Sequence, residues 1–299
     1  MKRFVVQVLL FFVVAAIIDV SAGTILNYCV KHAKGGDFGR NKYICNDTHE
    51  DILVFGSSRA IHHYNPQILS DSLGASCYNC GQDGNGAILN YGRYQLICQR
   101  YTPKLLLYDV TPGFDLLAGD DNHKYLGWLR AYYDNKGIPE VFESVDPLEK
   151  YKMISAMYRY NTKFIQILSD YIHPLQDEDI SGFRPLVGKM DMMRINKKSA
   201  IDKAYHFDSL KIHYLNRIIL ESNKTKVVFV VSPTYIGQDI TQYKPIAELC
   251  KANHIPFIDF SNDSKYVNNS DYFVDGSHLN SEGADEFTRD LLKRLLVVK

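Results

Sequence analysis

The stretch Asp51-Ile52-Leu53-Val54-Phe55-Gly56-Ser57-Ser58 decides the fold. Its apolar run, Ile52 to Phe55, consists of strand formers and has no alternating polar face. A short run that is apolar on both faces belongs in a parallel sheet, covered by helices above and below. Gly56 stops the run, and the segment after it is compatible with a helix. Pro66 to Leu73 then reads as a short helix ended by Gly74.

The same alternation recurs along the chain. Ala75 to Tyr78 reads as a second strand, Lys104 to Val110 as a third, Lys226 to Val231 as the strongest and Ile255 to Phe260 as the last. Helical patterns occupy Ala87 to Tyr101, Leu148 to Ile172, Leu210 to Ser222, Tyr243 to Asn253 and Ser281 to Leu296. Strands alternating with helices predict an α/β fold, with a parallel sheet between helical layers. Sites in such sheets form at the carboxyl ends of strands. Gly56-Ser57-Ser58, the glycine-rich loop Asn79 to Gly86, and Ser232-Pro233 all follow strand ends, and Asp275-Gly276-Ser277-His278 follows the last strand.

Composition narrows the classes. The 299 residues are 46% hydrophobic and 23% charged, an ordinary globular balance. The 34 basic and 34 acidic residues cancel, and no Lys/Arg cluster is interleaved with aromatics, which argues against nucleic acid as a partner. Met1-Lys2-Arg3 precedes an apolar run from Phe4 to Ile18 broken only by Gln7, the pattern of a secretory signal or a signal anchor. Val20-Ser21-Ala22 offers a small-residue cleavage site, while Asp19 and the renewed apolar character at Ile25-Leu26 argue for an uncleaved span. Either way, the rest of the chain is expected outside the cytoplasm, membrane-anchored by one N-terminal span, or periplasmic or secreted if cleaved. Six cysteines fit an exported protein without fixing any pairing, and Cys77-Tyr78-Asn79-Cys80 reads as core or disulfide cysteine rather than a redox or zinc motif.

The expected organisation is a signal peptide or membrane anchor over 1–22, a polar, glycine-rich stalk over 23–48, and an α/β domain over 49–299. Within the domain, residues from about 114 to 209 read as a helical insertion over the active face.

The chemistry rests on Asp275 and His278. A carboxylate three residues before a histidine can face the same way on one turn, which suits an acid that orients a base. A serine hydroxyl is a weak nucleophile that needs such a base, and the base needs a partner to fix its tautomer. Ser58 supplies the hydroxyl. The backbone N–H groups of Ser58 and Gly84 are candidate donors to a tetrahedral oxyanion. A plainer reading stands beside this one: Ser57 or Ser58 caps the following helix, and Asp275 and His278 cap the last one. The adjacent His62 and His63 read as surface or substrate-wall residues, and Asp109 as a structural hydrogen-bonding residue. Arg59 reads first as half of an internal ion pair, and as a candidate for a substrate carboxylate or phosphate in the second place.

Gly56-Ser57-Ser58, Asn79-x-Gly81-x-x-Gly84 and Asp275-x-x-His278-Leu279-Asn280-x-x-Gly283, in that order, resemble the SGNH/GDSL hydrolase superfamily over roughly residues 50–299. The resemblance implies a flavodoxin-like three-layer α/β/α sandwich with about five parallel strands. It implies Ser58 as nucleophile, His278 as base, Asp275 as its orienter, and Gly84 with the Ser58 amide as oxyanion donors, with no metal or cofactor. It implies an esterase or deacetylase acting on acyl esters, often on carbohydrate, or an O-acyltransferase working with a membrane acyltransferase partner. Two departures stand out. Ser57 occupies the family's aspartate position. The segment after the third strand, Tyr108-Asp109-Val110-Thr111-Pro112, lacks the family's oxyanion asparagine, leaving Asn79 and Asn85 as the nearby amides. The missing donor motivates a second reading, a non-catalytic carbohydrate-binding or envelope-assembly protein on the same fold.

Overall fold

A computed structural model of the chain describes residues 1–119, 121–160, 163–173, 179–191 and 204–297. The helices, in chain order, are α1 (Lys2–Lys31), α2 (Gly36–Lys42), α3 (Ser58–His63), α4 (Pro66–Leu73), α5 (Ala87–Cys98), α6 (Pro112–Asp115), α7 (Ile138–Val145), α8 (Glu149–Lys152), α9 (Phe164–Ile172), α10 (Ser209–Glu221), α11 (Lys244–Ala252) and α12 (Ser281–Val297). The strands are β1 (Ile52–Phe55), β2 (Cys77–Asn79), β3 (Leu105–Asp109), β4 (Lys226–Val231) and β5 (Phe257–Asp259). The chain forms two compact units, one of Thr48–Tyr125 with Glu178–Lys299, the other of Met1–Asp47 with Leu126–Asp177.

The larger unit carries a five-stranded sheet in the order β2-β1-β3-β4-β5. Every pair is parallel, with Ile52 opposite both Cys77 and Leu105, and Leu107 opposite Val228. This is the α/β sandwich with a flavodoxin-like strand order. β1 is buried at every position because both of its faces are covered. Ile52 and Val54 join Leu107, Val228, Val230 and Ile258 against Phe287 and Leu291 of α12. Phe55 faces the other way and meets Tyr94 of α5 edge-on, ring centroids 6.4 Å apart. α4 packs on α12, and α5 packs on α10, giving the two helical layers. The chain leaves β1 toward β2 and returns to place β3 on the other side, so the crevice at the carboxyl ends of β1 and β3 is the topological switch point where ligands bind in open α/β sheets.

In the smaller unit, α1 continues unbroken past the Val20-Ser21-Ala22 sequence, and its last turns bury Leu26, Cys29 and Val30. The stretches set apart above as stalk and insertion both contribute to this unit, through α2 and through α7 to α9. The single helix expected over Leu148 to Ile172 is instead interrupted. Between α8 and α9 the chain turns, and the Ser155 hydroxyl and the N–H groups of Ala156 and Met157 donate to the Asp19 carboxylate at 2.6, 2.8 and 3.0 Å. A continuous helix would spend those N–H groups on its own carbonyls. The low-period stretch from Pro174 to Lys198 lies partly outside the described residues. All six cysteines are free thiols. Cys77 and Cys80 are buried on and just after β2, and burial pushes the Cys77 thiol well up.

Gly56 is where β1 becomes α3. Its φ is +144°, a value side-chain-bearing residues rarely adopt, and a Cβ there would lie 2.7 Å from the Asp109 carbonyl oxygen and 2.8 Å from Ala60 Cβ. Gly56→Ala therefore meets both strain and overlap, and is expected to lower stability by about 3 kcal/mol or more. Gly113, in α6 with open space around it, is the control, and Gly113→Ala is expected to be neutral or stabilising by up to about 1 kcal/mol. Thermal unfolding of the two variants beside the parent chain checks the opposite signs.

Candidate active site

Ser58 opens α3 at the carboxyl edge of β1, and its hydroxyl oxygen lies 2.8 Å from Nε2 of His278. The other ring nitrogen, Nδ1, lies 2.9 and 3.1 Å from the two carboxylate oxygens of Asp275. An ionised carboxylate can only accept, so Nδ1 carries the proton and Nε2 offers its lone pair to the Ser58 hydroxyl. Partial burial works to raise the Asp275 carboxyl. The hydrogen bond from His278 and the N–H groups of Ser277 and His278, at 2.7 and 2.9 Å, outweigh it and hold the group at about 2. Asp275 is thus ionised across the working range, and is fixed by backbone as well as by the ring.

The local sequence explains how this loop is built. Phe273 bridges to Leu279, Val274 N–H donates to the His278 carbonyl at 3.0 Å, and Asn280 N–H donates to Tyr272. The loop between them is therefore closed at its base. Asn280 also accepts from Gly283 N–H at 2.9 Å and so caps the start of α12. Leu279 is fully buried, which seats the residue beside His278 in the core.

Neither serine caps α3. Ser57 sits at the N-cap position without a side-chain cap bond, and its hydroxyl lies 2.6 Å from that of Thr111. With no cap, the Ser58 N–H at the head of α3 has no acceptor among the described residues. The Gly84 N–H likewise has none, and Gly84 takes a left-handed φ of +64° in the turn after β2. These two amides are unspent donors on the same sheet edge.

Other candidates turn inward. Arg59, named above as a substrate-binding candidate, is buried. Its Nε lies 3.5 Å from Asp109 and 3.1 Å from the Thr111 hydroxyl, and its terminal nitrogens donate to the carbonyls of Ser232 and Val110 and to Gln238. Burial works against its charge, and Asp109 more than compensates. Asn79 is also buried and donates to the carbonyls of Ala60 and Tyr64 at 2.7 and 3.0 Å while accepting from Gly81 N–H. Both are committed to holding α3: Arg59 forms the internal ion pair rather than a substrate contact, and Asn79 is corrected from an oxyanion or substrate-binding amide to a structural one. Asn85 donates to the Asp83 carbonyl at 2.7 Å, and its buried Oδ1 has no hydrogen-bond partner among the described residues. Asp109 accepts from Tyr64 OH and from Ser232 N–H at 2.8 and 2.9 Å, tying α3, β3 and β4 together.

The residue the sequence reading missed is His63. It is fully buried, not on the surface or a substrate wall. Its Nε2 accepts the Leu279 N–H at 3.1 Å, so its Nδ1 carries the proton and donates to the Ser232 hydroxyl at 3.1 Å. The apolar neighbours Ile61 and Tyr64 gave no signal that this one imidazole faces inward. Burial, then the nearby His278 and Arg59, hold it well below the usual histidine range.

His63 therefore stays neutral in the folded protein, whereas it titrates near pH 6.5 when unfolded. Below that pH the unfolded chain binds the extra proton, so stability falls as pH falls, at up to about 1.4 kcal/mol per unit from this group alone. His63→Gln removes the titration. The expected outcome is a variant less stable than the parent at pH 8 whose unfolding midpoint depends less steeply on pH between 6.5 and 5.

Comparison with known proteins finds no matching family model and no matching curated protein. Among solved structures, one provisionally described as a platelet activating factor from Streptococcus pneumonia is 11% identical, covers 98% of this chain and 99% of its own, and gives a TM-score of 0.42. Another, provisionally described as a lipolytic protein of the G-D-S-L family from Desulfitobacterium hafniense, is 13% identical, covers 81% of this chain and 98% of its own, and gives a TM-score of 0.39. The fold assignment rests on the strand order and register of the chain itself.

Proposed function

We propose that the protein is a serine-dependent ester hydrolase or O-acyltransferase of SGNH type, acting through an acyl-enzyme on an acylated, extracytoplasmic carbohydrate. The observation that carries this reading is the relay from Ser58 to His278 at 2.8 Å and from His278 to Asp275 at 2.9 Å. Its hydrogen-bond direction is the one a nucleophile and general base require.

In this reading the Ser58 oxygen attacks the acyl carbonyl carbon as its proton passes to Nε2 of His278. The carboxylate of Asp275 stabilises the resulting imidazolium. The amides of Ser58 and Gly84 receive the oxyanion. Collapse of the tetrahedral adduct breaks the ester C–O bond, and His278 returns the proton to the leaving alkoxide. Water, or an acceptor hydroxyl supplied with a membrane acyltransferase partner, then takes the acyl group from Ser58 by the same steps in reverse. The exposed apolar start of α1 supports a location outside the cytoplasm on a single span. The second reading, a non-catalytic binding protein, draws on the segment Tyr108 to Pro112 after β3, which lacks the oxyanion asparagine of the family the sequence resembles.

A fluorophosphonate serine probe separates the two. The parent chain is expected to label, Ser57→Ala to label, and Ser58→Ala and His278→Ala to lose labelling. Asp275→Asn is expected to slow turnover of a chromogenic acetyl ester by about 10⁴-fold. A folded parent that does not label favours the binding protein.

A further inference from the structure

Every residue of α1 from Lys2 to Ile18 is exposed, including Phe4, Leu9, Phe11, Phe12 and Ile17. An apolar surface of this kind needs a partner. From Phe4 to Ala22 the helix runs about 28 Å at roughly 1.5 Å per residue, close to the roughly 30 Å of a bilayer's hydrocarbon core. Lys2 and Arg3 mark the inner end. Asp19 then lies within one turn of the outer end, where its carboxylate is saturated by the three donors of Ser155, Ala156 and Met157. That contact fixes the height of the turn after α8 relative to the span.

The same turn carries an apolar stripe. Leu148, Tyr151, Ile154 and Met157 recur every third residue and are all exposed, Ile154 at 80%, while Glu149 and Met153 between them are buried. The i→i+3 bonds Leu148–Tyr151 and Tyr151–Ile154 keep the stripe on one side. The Lys150 ammonium lies 5.2 Å from the centre of the Tyr151 ring, an aromatic and a snorkelling cation of the kind found at membrane–water interfaces.

We propose that residues 148–157 form a second membrane contact, seated in the outer interface of the bilayer that an uncleaved α1 spans. The occupant is lipid, because Met157, at the end of the stripe, is bonded through its backbone to Asp19, which lies between the exposed Ile18 and Val20 of the helix. Leu148, Tyr151 and Ile154 enter the acyl boundary, and Lys150 meets the phosphate layer. Cleavage after Ala22 would remove Asp19 and leave the Ala156 and Met157 N–H groups without their acceptor, so the contact also requires the anchor to be retained. The proposal rests on the reading of α1 as a span, and its test treats that reading separately.

The full chain is reconstituted into vesicles of phosphatidylcholine and phosphatidylglycerol. Tryptophan is placed in turn by Ile154→Trp, by Phe11→Trp and, as a control in the larger unit, by Ile236→Trp. Trp128 of the parent, largely buried, sets the baseline. Lipids brominated near the headgroup end or near the methyl end of the acyl chain serve as quenchers. The expected result is that Ile154→Trp adds a blue-shifted signal that loses most of its intensity with shallow bromines and little with deep ones. Phe11→Trp should be quenched by deep bromines, and Ile236→Trp by neither. Quenching of Phe11→Trp with water-like, unquenched emission from Ile154→Trp would overturn the second contact while leaving the span intact. Blue-shifted but unquenched emission would overturn it in favour of a protein surface. Failure to quench Phe11→Trp would overturn the span itself, and a mature chain starting at Gly23 would overturn the retained anchor.

Discussion

The site depends on one short helix that is held at both ends. α3 begins with Ser58 and ends with His63, and His63 grips the Leu279 amide, the neighbour of His278. The same element therefore carries the hydroxyl and sets the distance to the base that faces it. The arrangement works only while His63 is neutral. A protonated imidazole would present an N–H to the Leu279 N–H, and a buried donor facing a donor is unfavourable. The positive Arg59 nearby adds to burial in keeping His63 neutral. The base and its clamp are thus two histidines given different tasks by environment: His278, partly exposed with a carboxylate partner, and His63, buried between a hydroxyl and an amide.

The other end of α3 is held by charge. Arg59 and Asp109 form a buried pair, and Asp109 also takes the Tyr64 hydroxyl and the Ser232 amide. Breaking a buried pair by removing one partner typically costs about 3–5 kcal/mol, because the remaining charge is left without compensation. The pair lies directly below the loop that presents Ser58, so its rigidity passes to the hydroxyl. Thr111 completes this frame by bonding Ser57 and Arg59, and its backbone N–H is held by the buried Asp115 at 2.7 Å. Burial pushes the Asp115 carboxyl up to about 7, with the Thr111 amide and the Tyr108 hydroxyl pulling the other way. The segment after β3 has been given to scaffolding. In the proposed chemistry, oxyanion stabilisation then falls on backbone amides. Those need no side-chain ordering and survive most substitutions, but they supply one donor fewer than a side-chain amide would add.

What was legible in the sequence follows the range of each interaction. The strands were readable because continuous apolar runs, Ile52 to Phe55 and Val227 to Val231 above all, report burial residue by residue. The Asp275/His278 relation was readable because they are three positions apart, and a local turn settles their geometry. The long helix over Leu148 to Ile172 was misread because its interruption is caused by a carboxylate more than a hundred positions earlier. Asn79 and His63 were misread for the same reason. Their partners are distant in sequence: the Ala60 and Tyr64 carbonyls of α3 and the residue after it for Asn79, and Ser232 after β4 and the Leu279 amide before α12 for His63. Periodicity and spacing see along the chain, and hydrogen bonds across the sheet edge do not appear in either.

The features that first looked like defects share one cause. Asp19 breaks an apolar run, Ser57 stands at the aspartate position of the family the sequence resembles, and the segment around Thr111 lacks that family's asparagine. Each is paired in the structure with a distant group of matching polarity: the Ser155 hydroxyl and the Ala156 and Met157 amides, the Thr111 hydroxyl, and the Ser57 hydroxyl with the Arg59 guanidinium. A buried or membrane-level polar group without a partner would cost several kcal/mol, so such residues persist only where the fold supplies one. A polar residue that violates the local pattern is therefore best read as half of a long-range contact. The useful question for any such residue is which distant segment provides the other half. For Ser57 and Thr111 the two halves are each other, which makes the Ser57 position part of the scaffold and leaves Ser58 as the only hydroxyl of the pair turned toward His278.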